Sequence, residues 1–244
     1  MSSLDGKVAV VTGGTRGIGH ATAAALADAG ATVVITGRDG ETAAKRAAEL
    51  GAKVSGVALD VTDSAAVKDV FKAVAKEHGR IDVLVASAGV LEGGLIGMLT
   101  DDHIGRTLTT NVAGSLACVQ AAARVMMRKR SGAIVLLGSV VGERGNAGQT
   151  VYAASKAALS AVAKSAAKEL GRHGIRVNAV APGVIRTDLI AEQSEEVLAK
   201  VQADTALGRL GTPEEVAAVI RFLVSDEASF VTGQVLGIDG GLVL

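Results

Sequence analysis

The only tyrosine in the 244 residues, Tyr152, stands four residues before Lys156 in the run Tyr152-Ala153-Ala154-Ser155-Lys156, and Ser139 precedes both at the end of an apolar run. In a helix, that spacing puts phenol and ammonium on one face, close enough to share a task. A phenol with an ordinary pKa of about 10 is a weak acid and a weak base near neutrality, but an adjacent cation stabilises phenolate and lowers the value. Such a pair can pass a proton to or from a carbonyl oxygen. Ser139, fixed at a rigid strand end, can hydrogen-bond the same oxygen. The pattern Tyr-x-x-x-Lys is short enough to arise by chance, so its meaning depends on the elements that position it.

Those elements alternate. Short runs rich in β-branched residues, Lys7–Val11, Thr32–Thr36, Lys53–Leu59, Val83–Ala86, Ala133–Leu137, Arg176–Ala181 and Val235–Ile238, are separated by longer Ala-rich amphipathic segments. Alternation of this kind predicts an α/β fold, with parallel strands joined by right-handed helical crossovers and both sheet faces covered. Apolar residues make up 49% of the chain and aromatics only 2%, as Val-rich strands under Ala-rich helices require. The length suits one domain spanning residues 1–244, with no repeat or linker dividing it. Helix punctuation agrees: Thr212-Pro213-Glu214-Glu215 offers an N-cap, a proline at the first helical position and a glutamate three residues after the cap.

Charge excludes some partners. Twenty-five basic residues balance twenty-five acidic ones, so no global field would recruit a nucleic acid or an anionic membrane. Cys118 is the single cysteine and has no disulfide partner; in an Ala-rich segment with no histidine beside it, it reads as a packed thiol. His20, His78, His103 and His173 lack metal-ligand spacing, so no metal is expected. No signal segment and no apolar stretch of membrane-spanning length is seen, and a cytoplasmic protein is expected.

The first strand runs into Thr12-Gly13-Gly14-Thr15-Arg16-Gly17-Ile18-Gly19, followed by a helical pattern. Gly13 permits a tight turn, Gly17 lets the backbone approach a pyrophosphate, and Gly19 lets the helix pack against the sheet, while unpaired N–H groups of the helix N-terminus face the anion. A nicotinamide dinucleotide is the expected cofactor. The second strand ends in Thr36-Gly37-Arg38, with no carboxylate at Gly37 to accept from a ribose 2′-hydroxyl. Arg38 and Arg16 can instead reach a 2′-phosphate, which favours NADP(H) over NAD, although Asp39 could pair with Arg38. Asp60, after the third strand, could hydrogen-bond the adenine edge or cap the next helix; Asp63 is the better cap, which leaves Asp60 free.

With Thr12–Gly19, Asn111, Ser139, Tyr152, Lys156 and Pro182-Gly183 in this order, the chain resembles the short-chain dehydrogenase/reductase family over essentially its whole length. Within it, Gly138-Ser139-Val140-Val141-Gly142, Gly145-Asn146-Ala147-Gly148-Gln149, Val180-Ala181-Pro182-Gly183, Val231-Thr232-Gly233-Gln234 and Asp239-Gly240-Gly241 look most like the bacterial 3-oxoacyl-acyl-carrier-protein reductases. The resemblance implies a Rossmann-type doubly wound sheet, a homotetramer, and reduction of a β-ketoacyl thioester by NADPH. It implies that Tyr152 protonates the nascent alkoxide, that Lys156 lowers the phenol's pKa and holds the nicotinamide ribose, and that Ser139 orients the carbonyl. It implies further that the Asn111 backbone carbonyl fixes a water linking Lys156 to solvent. Pro182, Gly183, Ile185 and Thr187 would line the nicotinamide; Thr12, Gly13, Thr15, Arg16, Gly17, Ile18, Gly19, Arg38, Asp60, Val61, Ser87, Ala88 and Gly89 would hold the rest of the cofactor.

Two departures from the family pattern stand out. Ala86-Ser87-Ala88-Gly89 replaces the usual Asn-Asn-Ala-Gly, and the loop Val90–Ile96 lacks a basic-acidic pair and carries Gly93 and Gly94. Another ketone or secondary alcohol is thus a rival substrate, and a catalytically silent dinucleotide-binding regulator is a rival of a different class, though Asn111, Ser139, Tyr152 and Lys156 are all present. Acyl carrier proteins are acidic, so Arg128, Lys129 and Arg130 at one helix end and Arg172 and His173 at another are docking candidates, Arg130 and Arg172 foremost. The resemblance would place both clusters near the cleft. Residues 189–207, following the Pro182-Gly183 turn and free of aromatics, are expected to form a substrate lid for an aliphatic or polar ketone.

Overall fold

The computed structural model describes residues 3–187, 190 and 194–243. Seven strands form one sheet: β1 Val8–Thr12, β2 Thr32–Gly37, β3 Val54–Ala58, β4 Val83–Ala86, β5 Gly132–Leu137, β6 Ile175–Pro182 and β7 Val235–Ile238. Each matches its predicted run to within about two residues, the usual uncertainty of an element end. Every pairing is parallel and the order is β3-β2-β1-β4-β5-β6-β7. Chain order therefore reverses between β1 and β4, which opens a crevice at the carboxyl ends of those two strands.

The helices are α1 Gly17–Asp28, α2 Gly40–Glu49, α3 Ser64–His78, α4 Asp101–Leu108, α5 Ser115–Lys129, α6 Val141–Arg144, α7 Thr150–Leu170, α8 Glu195–Ala203 and α9 Pro213–Val224. Between α4 and α5 the chain makes a π-helical turn over Thr109–Gly114. Side chains of β1 alternate in direction, and the two faces bury separate cores. Val8 and Val10 join Leu84, Ile134, Leu136 and Val177 against Phe71 of α3, Met126 of α5 and Leu159 of α7. Ala9 and Val11 join Val33, Ile35, Val83 and Val85 against Leu26 of α1 and Val216, Ile220 and Leu223 of α9. Small residues let helices and strands close up: a Cβ at Gly56 of β3 would collide with the Ala43 carbonyl of α2. Thr212 forms the anticipated capping box with Glu215 ahead of α9, with Pro213 in the first turn.

Cys118 lies wholly inside the first core, and burial pushes its thiol up to about 12, so it remains protonated and inert near neutrality. Among the described residues, no helix is long and apolar enough to cross a membrane.

Candidate active site

The β1–α1 turn is built around close backbone approach. Gly13 has φ +66°, and a Cβ there would lie 2.8 Å from the Ala88 Cα and 2.9 Å from its nitrogen. Only glycine lets the end of β1 meet the segment after β4 this closely. Thr12, buried at the strand end, accepts a hydrogen bond at Oγ1 from the Ala88 N–H at 3.3 Å. Gly17, at φ +53°, sits at the start of α1 with Thr187 across from it: its Cβ would be 3.3 Å from the Thr187 Cγ2. A Cβ at Gly19 would collide with the Gly13 carbonyl and stand 3.1 Å from the Ser87 Oγ. Thr12, Gly13, Gly17, Gly19, Ser87, Ala88 and Thr187 thus converge at the β1/β4 crevice, with Thr15 over Gly37, whose Cβ would lie 2.7 Å from the Thr15 Cγ2.

These residues fit a dinucleotide. The N-cap of α1, Arg16, makes no side-chain capping bond, and the first turn carries no acidic residue, so its N–H groups are left for an anion. Arg16 and Arg38 are both exposed, and among the described residues no ion pair joins Arg38 to Asp39. Asp39 instead caps α2, accepting from the Thr42 N–H at 2.6 Å; hydrogen bonding from the Thr42 side chain first, and from its N–H second, holds the carboxyl below the usual range. Asp39 is thereby committed to the cap, while the carboxylate near enough to feel the Arg38 charge is that of Asp60. Asp63 caps α3 as expected, but Asp60 is not free: its Oδ1 accepts from the Thr62 N–H at 2.9 Å and the Thr62 hydroxyl at 2.7 Å. An Asx-type turn occupies that oxygen and lowers the carboxyl's pKa. Val61 is buried against Gly114, whose Cβ would lie 2.8 Å from the Val61 Cγ2.

Beside the crevice, β5 ends at Leu137 and delivers Ser139, while α7 presents Tyr152 and Lys156 one turn apart. Ser139 hydrogen-bonds the Tyr152 phenol. Its Oγ also accepts from the Val141 N–H at 3.3 Å, which fixes the hydroxyl's place. The Lys156 Nζ lies 5.5 Å from the centre of the Tyr152 ring and donates to the Leu137 carbonyl at 2.7 Å. Lys156 is buried, and desolvation pulls its ammonium down to about 8. Burial raises the Tyr152 pKa, and the Ser139 bond opposes it.

Asn111, on the π turn, is fully buried, and its carboxamide is committed. Oδ1 accepts from the Val90 N–H at 2.8 Å, while Nδ2 donates to the Val90 carbonyl at 2.9 Å and to the Ser155 Oγ at 3.0 Å. Gly89 lets this group close up, since its Cβ would be 3.1 Å from the Asn111 Oδ1 and 3.6 Å from the Lys156 Nζ. A helix widened to π geometry shifts its carbonyls out of the ordinary ladder, a feature frequent at functional sites.

Across the cleft, β6 ends at Pro182. Gly183 donates to the Ile238 carbonyl at 3.0 Å, and the buried Ile185 forms a parallel bridge with Gly211. Of the predicted lid, residues 189 and 191–193 lie outside the described residues; α8 and the segment after it form the rest.

Two features escaped the sequence. Ser155, quoted only as part of a run, ties the site together: its hydroxyl donates to the Tyr152 carbonyl at 2.7 Å and accepts from Asn111. The Leu137 carbonyl, a backbone group without sequence signature, is the partner of Lys156. The basic clusters are not beside the cleft of their own chain. Arg130 precedes β5 and Arg172 precedes β6, where Arg130 donates to the Arg172 carbonyl at 2.9 Å. Both sit at the amino edge of the sheet, about 20 Å along a six-residue strand from the edge that carries Ser139.

A family profile described as Enoyl-(Acyl carrier protein) reductase matches residues 13–243. The chain is 42% identical over 243 residues to the 3-oxoacyl-[acyl-carrier-protein] reductase FabG of Salmonella typhimurium, covering 99% of both chains. It is 44% identical over 244 residues to the same enzyme of Thermotoga maritima, again over 99% of each. Among solved structures, that of gox2181 superposes with a TM-score of 0.95 at 39% identity, covering 98% of this chain and 96% of the other.

Proposed function

Because the chain belongs to the short-chain dehydrogenase/reductase family, we propose that it reduces the keto group of a 3-oxoacyl thioester, carried on acyl carrier protein, with NADPH as reductant. The observation that carries the proposal is the meeting of Ser139, Tyr152 and Lys156 at the strand edge that also holds the glycine-rich turn. The nicotinamide, when bound, supplies a hydride to the carbonyl carbon.

Ser139 and Tyr152 hydroxyls, already paired with one another, converge where a carbonyl oxygen can accept from both. That fixes the oxygen's direction and stabilises the negative charge it develops. A phenol raised by burial stays protonated near neutrality, the form an acid needs, and an alkoxide is a far stronger base than phenolate, so the proton passes from Tyr152 Oη to the substrate oxygen. The Lys156 ammonium then stabilises the phenolate left behind. Asn111 serves the relay through its backbone carbonyl, because its side chain is spent on Val90 and Ser155. Arg38 and Arg16 would hold the 2′-phosphate, and the uncapped N-terminus of α1 the pyrophosphate. Pro182, Gly183, Ile185 and Thr187 would wall the nicotinamide; Thr12, Thr15, Ile18, Val61, Ser87, Ala88 and Gly89 would contact the remainder, with Asp60 limited to its second carboxylate oxygen.

The deciding experiment follows NADPH oxidation by absorbance with an acetoacetyl thioester, in parallel with NADH and with a crotonyl thioester. Turnover confined to NADPH and the keto substrate supports the proposal. Preference for the crotonyl thioester would make the enzyme an enoyl reductase, and equal use of NADH would remove Arg38 from its role. Charge reversal at Arg130 and Arg172 tests carrier docking, which from the amino edge would serve the cleft of a neighbouring subunit. Carrier-bound and free thioester responding equally would take both residues out of it.

A further inference from the structure

A third, small apolar cluster joins parts of the chain far apart in sequence. Val140, Ala181 and Leu242 are buried together, with Val141, Val184 and Val201 packed against them. Val140 and Val141 follow Ser139, Ala181 is the next-to-last residue of β6, Val201 belongs to α8, and Leu242 lies in the carboxyl-terminal segment. That segment runs as a ribbon along the root of α8. The Val243 N–H donates to the Asp204 carbonyl at 2.9 Å, Leu207 donates to the Gly240 carbonyl at 3.1 Å, and Thr205 bridges Leu242 in antiparallel sense. Fit is tight: a Cβ at Gly240 would lie 2.9 Å from the Thr205 Cγ2, and one at Gly241 would lie 2.8 Å from the Ala206 Cβ.

A side chain from α6 also holds the ribbon. Arg144, at the end of α6 and five residues after Ser139, donates through NH1 to the Leu242 carbonyl and through NH2 to the Asp239 Oδ2 at 3.2 Å. The other Asp239 oxygen accepts from the Gly241 N–H at 3.0 Å, so the carboxylate is fixed at the turn that starts the ribbon. Beneath the root of α8, a cavity of about 180 Å³ is lined by Ile185, Thr205, Leu207, Arg209, Asp239 and Gly240 among others. Thr205 and Leu207 thus border open space, and the root of α8 has room to shift.

We propose that Arg144 is a positioning residue: its guanidinium latches the carboxyl-terminal ribbon to the segment that follows Ser139 and so sets where α8 stands over the substrate cleft. The proposal rests on the reading of that cleft as the carbonyl site. The guanidinium suits the task because its planar fork can serve a carbonyl and a carboxylate at once, which an ammonium on a flexible stem does less well. The ion pair is half-exposed on the arginine side, and such pairs are weak, so the latch can open without unfolding the protein.

The test compares R144M and R144K with the unmodified enzyme. Readouts are trypsin cleavage after Lys200 followed by mass spectrometry, KM and kcat for the acetoacetyl thioester, NADPH affinity by fluorescence, and Tm. The proposal expects R144M to be cut after Lys200 and to raise KM by about fivefold each, with kcat, NADPH affinity and Tm little changed, and R144K in between. Wild-type cleavage and KM in R144M would overturn it. So would parallel loss of kcat, NADPH binding and Tm, which marks general damage; if R144M does not fold, R144K decides by the same criteria. Should the unmodified enzyme fail to turn over the thioester, the functional reading falls and the rate of cleavage after Lys200 alone decides the latch.

Discussion

Tyr152 and Lys156 are each pushed by burial toward the neutral form, which is the cost of placing them where water is excluded. Their separate tasks give separate expectations. Tyr152→Phe keeps the ring's packing and removes only the proton donor, so reduction should fall by at least about a thousandfold while NADPH affinity, read by fluorescence, stays within a factor of two. Turnover near the original rate would take the phenol out of the chemistry. For Lys156 the expectation concerns stability. Its folded pKa of about 8 is below the unfolded value of 10.5, so between those values the unfolded chain binds more protons than the native one. Stability contributed by this group therefore rises as pH climbs from 8 to 10.5, and below 8 its burial is a constant penalty. Lys156→Met carries no such titration, and making the comparison in a Tyr152→Phe background removes the phenol's own shift, which the ammonium influences. Melting temperatures of the two, compared across that range, should diverge in favour of the lysine protein as pH rises; parallel curves would mean the ammonium is solvated.

The turns between elements decide how closely strand ends approach, and Gly13 is the sharpest case. Gly6 and Gly13 have nearly the same φ, +71° and +66°, but a Cβ at Gly6 meets nothing within 4 Å whereas one at Gly13 meets the Ala88 backbone. Gly6→Ala should cost only the left-handed conformation, about 1 kcal/mol. Gly13→Ala should add an overpacking cost of about 1–3 kcal/mol, because backbone cannot move aside as a side chain does, and should weaken NADPH binding as well. Denaturant unfolding of both variants measures the difference, and equal values would show that the crevice relaxes. At this scale the sequence was most informative. Every strand was visible because β-branched runs and Ala-rich helices differ sharply in pattern, and the α9 capping box was spelled out by Thr212 and Glu215. What stayed hidden depends on backbone atoms and long-range contacts. The Leu137 carbonyl that holds Lys156, the Thr62 bonds that occupy Asp60, and the Arg144 contacts with the carboxyl-terminal ribbon have no local pattern to announce them. Ser155 was hidden differently: a small polar residue within a helix motif looks like filler until its neighbours are known.

Across the whole molecule, the doubly wound plan leaves one strand out of balance. A parallel sheet normally has both faces covered, yet β7 lies at the sheet edge with Leu236 at 41% exposure, and Phe230, shortly before it, is fully exposed. An apolar edge strand invites pairing with another chain unless something covers it, and Phe222 on α9 is a further exposed apolar side chain. Leu108 and Leu116, exposed on α4 and α5, mark a second such region on a different part of the fold. Two distinct apolar patches on one chain are what a closed tetramer of twofold interfaces needs. Balanced net charge adds no general repulsion between copies. We therefore expect light scattering on the purified protein to give a tetramer's mass. Leu236→Asp, which puts a carboxylate on the edge strand without touching either main core, should reduce it to a dimer through loss of the β7 contact alone. A tetramer that survives Leu236→Asp would place the assembly on other surfaces, and a monomeric unmodified protein would remove the expectation altogether. Because the Arg130–Arg172 edge faces away from its own cleft, the same dimer has a second use: loss of carrier-bound turnover on dimerisation, with free thioester turnover kept, is the signature of docking across subunits.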